Sequence, residues 1–230
     1  MDLSVIIPSF NEGHHLRTLT EKIRAILEPL SIQYEIWIID DSTDDTPALI
    51  QKIKHDMPFA HAIHRKYQRG LGSAIVEGFR QSLGRCLIVI DGDLQHPPEL
   101  FPEIYHLLST EADLVIPSRF MNGGSDGRMH FYRKCLSWIA RKIGQRKLKL
   151  RAISDCTSGY FGVKRTAIEQ IQFNPTSWKI LLEILVKGNI KTIREIPYHF
   201  IAQRKMASKM NLFEQLKFLR HVAKLAKEVK

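Results

Sequence analysis

The run Asp91-Gly92-Asp93-Leu94-Gln95 follows directly on the apolar stretch Leu87-Ile88-Val89-Ile90. Alternate residues on extended chain point the same way, so Asp91, Asp93 and Gln95 can present three oxygens to one hard cation, Mg2+ or Mn2+. A cation held there can bridge diphosphate oxygens and stabilise the charge that builds on a departing nucleotide. An Asp-rich turn would use the same residues, since Gly92 and the Pro97-Pro98 pair favour one. What separates the two readings is company. Pro8, Phe10, Asn11 and Glu12 follow the apolar run Leu3 to Ile7, and Asp40, Asp41, Asp44 and Asp45 follow another that starts at Tyr34.

Those clusters need a scaffold that brings them together. Short β-branched runs at Leu3–Ile7, Tyr34–Asp40, Ala60–His64, Cys86–Ile90 and Asp113–Ser118 predict strands, and the stretches between them carry helical spacing. Leu16, Leu19, Ile23, Ile26, Leu27 and Leu30 form one apolar stripe; Ala74, Val76, Phe79 and Leu83 form a second, with Gly70-Leu71-Gly72 as its helix start. This is the alternation of a parallel sheet flanked by helices, whose right-handed crossovers line the strand C-termini along one edge. Open α/β sheets bind ligands at that edge. No linker or internal repeat divides residues 1–230, which predicts a single domain.

Composition narrows the function. Lys and Arg number 34 against 24 acids, a formal charge of +10. Ten of the basic residues (Arg119, Arg128, Arg133, Lys134, Arg141, Lys142, Arg146, Lys147, Lys149 and Arg151) fall between 119 and 151 with one acid, Asp126. They neither alternate with aromatics nor sit on a DNA-binding motif, so no nucleic-acid partner is expected. Cys86, Cys135 and Cys156 have no zinc or disulfide spacing, which suits a reducing compartment. No HExxH, GxSxG or Walker motif points to hydrolase or nucleotide-triphosphatase chemistry. Neither a signal peptide nor an apolar run of about 20 residues is found, so a soluble or peripheral protein is expected.

Eight segments taken in order carry a resemblance: SVIIPSFNE (4–12), IIDDSTDDT (38–46), RGLGSAIVEGF (69–79), DGDLQHPPEL (91–100), SRF (118–120), DCTSGYF (155–161), KILLEILVKG (179–188) and EIPYHF (195–200). Together they resemble the polyprenol (dolichyl) phosphate mannosyltransferases, GT-A type family 2 glycosyltransferases, over nearly the whole chain. The resemblance implies a GT-A fold, that is, an α/β nucleotide-diphospho-sugar transferase with a mostly parallel Rossmann-like sheet. It implies an inverting transfer of a hexose, mannose from GDP-mannose, to a polyprenyl phosphate. Asp91, Asp93 and Arg119 are the catalytic candidates it gives. Pro8, Phe10, Glu12, Ile39 and Asp41 would hold base and ribose; Asp91, Asp93 and Gln95 the metal; Lys179 and Lys209 the donor's charge; Arg119, Arg133 and Ser137 the acceptor phosphate.

Two departures leave alternatives open. The family carries Arg-x-x-Gly-x-Ser-Lys after EIPYHF, whereas Gln203 and Met206 stand here at the arginine and glycine positions, with neighbouring Arg204 the candidate to bind nucleotide-sugar instead. Phe161 replaces an arginine common in mannose-transferring members. A UDP-sugar donor, another acceptor, and a non-catalytic nucleotide-sugar-binding subunit remain as the other readings. One point of mechanism is independent of the resemblance: a phosphate monoester has a second pKa of about 6, so its oxygen is already a nucleophile near neutrality and needs no general base. Arg133 and Ser137, four apart, share one helical face and can grip one phosphate.

A polyprenyl tail stays in the bilayer, so the enzyme must come to it. Segments 127–147 and 211–230 are the candidate membrane-facing or packing helices. The first combines Phe131, Cys135, Leu136, Ile139 and Ile143 with Trp138 and flanking Arg and Lys. The second repeats Leu212, Leu216, Leu219, Ala223 and Ala226 beside Lys217, Arg220, Lys224 and Lys227. A peripheral place on the cytoplasmic face of a membrane follows as the expected location; a membrane partner subunit is unknown.

Overall fold

The computed structural model describes residues 1–67, 70–127, 131–175, 177, 179–201 and 212–229, with side chains for all of these except 131–137 and 212–215. Seven strands form one sheet: β1 (Leu3–Ser9), β2 (Tyr34–Asp40), β3 (Ala60–His64), β4 (Cys86–Val89), β5 (Leu114–Ser118), β6 (Phe161–Lys164) and β7 (Ile193–Pro197). Eight helices accompany them: α1 (Gly13–Leu27), α2 (Thr46–Asp56), α3 (Leu71–Gln81), α4 (Phe101–Thr110), α5 (Phe131–Lys147), α6 (Arg165–Ile168), α7 (Ile180–Lys187) and α8 (Leu212–Leu225). The sheet order is β3-β2-β1-β4-β6-β5-β7.

Because side chains alternate along a strand, each central strand feeds two cores. Leu3, Val5 and Ile7 join Ile88 under α1, α2 and α4, while Ile6 joins Leu87 and Val89 under α3, α7 and α8. The helices begin where local chemistry permits. Gly70 holds φ +137, a backbone that L side chains rarely adopt, at the entry to α3. The first amide of α1, Gly13 N–H, donates 3.0 Å to Thr46 Oγ1, and Thr46 N–H donates 3.0 Å to Asp44 Oδ1 at the start of α2. Asp44 is thus a helix-starting residue.

The five predicted strands are present with small shifts: β1 runs on through Pro8 and Ser9, and β4 and β5 are each one residue shorter. The first predicted helix starts earlier, at Gly13, and gives way to a 3-10 turn over Glu28–Leu30. Strands β6 and β7 are additions. Strand β6 runs antiparallel to both β4 and β5, which it separates, while β5 and β7 are parallel. Strand β7 closes the sheet as a five-residue edge that ends in Pro197, with Arg194 paired to Glu111 at 2.9 Å.

In α8 the expected stripe faces outward. Leu216 and Leu219 are exposed, whereas Phe218, His221, Val222 and Leu225 are buried. The helix therefore packs on the domain through a second stripe and leaves the first uncovered. Among the described residues no helix is long and apolar enough to cross a membrane.

Arg165 joins three elements at the end of the sheet away from the acidic loops. Its guanidinium donates to the carbonyls of Phe79 (3.0 Å) and Ser82 (2.8 Å), which the end of α3 leaves without helical partners, and to that of Gly84 (2.8 Å) in the loop before β4. Arg165→Met keeps the aliphatic stem and removes these donors. Urea unfolding should then register a loss of about 2 kcal/mol or more, and an unchanged midpoint would contradict this role.

Candidate active site

The parallel order β2-β1-β4 places three loops side by side at the strand C-termini. Asn11 N–H donates 2.7 Å to Ser42 Oγ, and Thr43 N–H donates 2.9 Å to Asn11 Oδ1, which ties the β1 and β2 loops together. A β-carbon built on Gly92 would stand 2.9 Å from Glu12 Oε2, so the β1 loop lies against the Asp91–Gln95 turn as well. Gln95 N–H donates 3.0 Å to Asp93 Oδ1, and Leu94 takes φ +60. The Asp-rich turn expected for this segment is present.

Strand β6 supplies what the parallel strands do not. Running antiparallel, it is entered from the same rim, so residues 155–160 lie between the ends of β4 and β5. A β-carbon built on Gly159 would stand 3.2 Å from Asp91 Oδ2. Asp155 is wholly buried and accepts from Arg119 Nε at 3.0 Å and Nη2 at 2.9 Å. Burial works against the Arg119 charge, yet Asp155, with Tyr198 and Asp126 adding to it, more than offsets that, and the guanidinium's pKa is raised. Asp155 is itself held by Glu195, which accepts the main-chain N–H groups of Ser154 (2.8 Å) and Asp155 (3.1 Å). Arg141 stacks its guanidinium 3.9 Å from the centre of the Phe120 ring and donates 3.0 Å to Ser154 O, which adds a second cation beside Arg119.

Lys179 is buried and its ammonium donates to Thr157 O. Its pKa falls to about 8, chiefly through burial and then through the Arg119 charge, with Asp155 and Asp91 opposing. Asp91 is fixed from its other side by His96, Nε2 lying 3.2 Å from Oδ2. The second ring nitrogen of His96 meets Tyr198 Oη at 3.0 Å. Tyr160, Tyr198 and Phe200 surround that imidazole, and burial raises the pKa of both tyrosines.

Asp91, Asp93, Gln95, Glu12, Arg119 and Lys179 therefore gather around one rim. Phe10 stands exposed beside it, while Pro8 and Ile39 lie inside the sheet, and Ile39 offers no side-chain surface. Asp41 is engaged within the protein: Arg65 donates to it twice, at 2.7 and 2.6 Å, and Gly70 N–H at 2.9 Å. Asp40 is committed likewise, to Ser42 and to His64 at 2.7 Å. Arg133 and Ser137 fall in the first half of α5, their side chains outside the described set, and Arg204 and Lys209 lie outside the described residues. Phe161 is a fully buried core residue of β6. Asp155, His96, Glu195 and Arg65 are the site residues that spacing alone did not single out, although the first three stand within the DCTSGYF, DGDLQHPPEL and EIPYHF motifs.

Among the described residues no three His, Cys, Asp or Glu side chains are clustered for a metal. The donor set fits Mg2+ or Mn2+ all the same: two carboxylates and the Gln95 amide are hard oxygen ligands, and Asp91 is about one-third exposed at the rim. That leaves room for substrate oxygens to complete the shell.

Comparison with known proteins gives the family and the fold. Residues 4–172 match the profile described as "Glycosyl transferase family 2". A dolichol-phosphate mannosyltransferase of Pyrococcus furiosus is 37% identical over 99% of this chain, which spans 64% of that relative's length. One of Saccharomyces cerevisiae is 29% identical over 98% of this chain and 87% of its own. In fold, the glucosyl-3-phosphoglycerate synthase of Mycobacterium tuberculosis, solved with Mn2+ and UDP-glucose, superposes with a TM-score of 0.73 at 19% identity, over 99% of this chain and 79% of its own.

The sign of the Lys179 titration gives a test. With a folded pKa of about 8, Lys179 is charged below that pH and neutral above it. Calorimetric affinity for a nucleoside diphosphate should therefore fall as pH rises through about 8. Lys179→Met should bind about tenfold more weakly at pH 7 and lack that alkaline limb.

Proposed function

From the premise that the chain belongs to glycosyl transferase family 2, we propose that it transfers a hexose, mannose from GDP-mannose, onto a polyprenyl phosphate with inversion at the sugar. The observation that carries this reading is the meeting of the Asp91–Asp93 carboxylates with two buried cations, Lys179 and the Asp155-bound Arg119, at one strand-end rim. Such a rim suits a substrate with negative charge on both sides of the reacting carbon, a diphosphate on one and a phosphate on the other. Relatives named as dolichol-phosphate and undecaprenyl-phosphate mannosyltransferases support the same acceptor class.

Asp91, Asp93 and Gln95 would hold Mg2+ or Mn2+, which supplies positive charge to the departing nucleoside diphosphate. Lys179 adds a fixed charge from the buried side. Phe10, Glu12 and the Asp41–Arg65 pair border the place for base and ribose. Arg119, whose Nε and Nη2 are spent on Asp155, is thereby pre-oriented to receive an acceptor phosphate, with Arg133, Ser137 and Arg141 on successive turns of α5. An acceptor oxygen forms the new bond to the anomeric carbon as the bond to the diphosphate breaks. No base is needed, since the phosphate monoester arrives deprotonated. The protein's work is alignment and charge compensation.

Asp93→Ala should reduce turnover by about a thousandfold while leaving the melting temperature nearly unchanged. A panel of GDP- and UDP-sugars with polyprenyl phosphate and Mn2+ tests the donor: GDP-mannose should give the highest kcat/KM, and a preference for UDP-glucose would replace the mannose assignment. Full activity in the presence of a chelator would remove the metal from the scheme.

The acceptor's tail supports a peripheral place on the cytoplasmic face of a membrane. Helices α5 and α8 touch one another and leave Trp138, Ile139, Leu216 and Leu219 exposed beside Arg220 and Lys224. Apolar side chains flanked by cations suit an interface of anionic headgroups. Sedimentation with liposomes should rise with their anionic lipid content and fall with salt, and Trp138→Ala with Leu219→Ala should weaken it. Salt-independent binding would count against this surface.

A further inference from the structure

A buried polar chain that takes no part in the chemistry above connects α8 to Lys179. Glu183 in α7 and His221 in α8 are both fully buried, and His221 Nε2 lies 3.0 Å from Glu183 Oε1. His221 Nδ1 lies 2.6 Å from Ser177 Oγ, and Lys179 N–H donates 3.3 Å to that same oxygen. Burial alone would raise the Glu183 pKa, but the donors facing it (His221, Asn174 N–H and Lys187) hold it below the usual carboxylate value. An ionised Glu183 accepts only, which puts the imidazole proton on Nε2. Nδ1 then accepts from the Ser177 hydroxyl, and that hydroxyl oxygen accepts from the Lys179 amide.

The order of partners excludes a hydrolytic triad. There the acid pairs with Nδ1 and the serine with Nε2; here both are reversed, and Ser177 is buried with its oxygen engaged by a main-chain amide. The chain acts on backbone. Glu183 Oε2 also accepts Asn174 N–H at 3.0 Å. On the opposite side, Ser177 O is pressed against Gly72 at the start of α3, where a β-carbon would stand 2.4 Å away. Asn174, Ser177 and Lys179, all just ahead of α7, are thus each held by this polar chain, and Lys179 carries its ammonium to Thr157 O at the rim.

We propose that His221 is a positioning residue for the donor site: through Ser177 it fixes the main chain from which Lys179 reaches the nucleotide diphosphate, and so makes the C-terminal helix part of nucleotide binding. This rests on the donor role of Lys179 given above. A leucine at residue 221 would fill the volume but remove one hydrogen-bond partner from each of Glu183 and Ser177 in a buried setting, which accounts for a histidine on the otherwise apolar buried stripe of Phe218, Val222 and Leu225.

The experiment compares Ser177→Ala, His221→Ala, His221→Asn, Lys179→Met and the double variant Lys179→Met/His221→Ala in the full chain, each checked by thermal melting. The probes are GDP with Mn2+ and UDP with Mn2+ for calorimetry, and the active nucleotide-sugar for kcat and KM. Ser177→Ala and His221→Ala should each weaken nucleotide binding about fivefold to tenfold, raising KM more than they lower kcat. His221→Asn, whose amide oxygen can accept from Ser177, should recover most of the loss. In the double variant the His221 change should add nothing to Lys179→Met, because both act through one ammonium. If His221→Ala fails to fold, Ser177→Ala carries the comparison. Wild-type affinity in Ser177→Ala alongside a weakened Lys179→Met, or fully additive losses in the double variant, would overturn the inference alone. Wild-type affinity in Lys179→Met would overturn the donor role of Lys179 and the inference with it.

Discussion

Arg119, Asp155 and Lys179 are withdrawn from water beside the Asp91 carboxylate, and the cost of dehydrating ions constrains everything around them. Each such ion forfeits several kcal/mol of solvation unless charge and hydrogen bonds replace the water. Arg119 recovers it from a doubly bonded Asp155, and the segment carrying Asp155 is steadied by main-chain donors to Glu195. Burial, and then the Arg119 charge, lowers the Lys179 pKa to about 8 against the pull of Asp155 and Asp91. A buried ammonium in that balance favours an anionic neighbour.

Strand β6 explains how these charges come to share a site. A sheet of purely parallel strands would bring the β1, β2 and β4 loops together but would leave Arg119, after β5, next to the end of β4 without its buried partner Asp155. Inserting one antiparallel strand reverses the chain, so that residues 155–160 descend from the rim between the two. Asp155 and Thr157, the partners of Arg119 and Lys179, both come from that descent.

Much of this was legible in the residues. The β-branched runs located five strands, and Asp91-Gly92-Asp93 after an apolar strand located the rim, because periodicity and strand-end chemistry are local properties. Strand β6 was not legible: Phe-Gly-Val-Lys is four residues long with a glycine inside, and its pairing is supplied by distant neighbours. Strand β7, Ile-Arg-Glu-Ile-Pro, hides behind its charges and final proline. The α8 stripe shows the same limit. Leu216 and Leu219 repeat at helical spacing, yet Phe218, Val222 and Leu225 repeat equally well, and only the surface of α7 decides which set is buried. Asp40 and Asp41 belong to the acidic cluster read after the second strand, but their partners His64 and Arg65 arrive from β3 and beyond, which spacing cannot announce.

The short final strand of the sheet bears on how the molecule can associate. An outer strand with unpaired amides is a template on which other chains can add, and long flat ones invite fibril growth. Here that strand offers five residues, one of them Pro197 without an N–H, and a guanidinium tethered to Glu111 stands along it. Sheet extension from this side is disfavoured by construction, whereas β3 remains the other outer strand of the sheet.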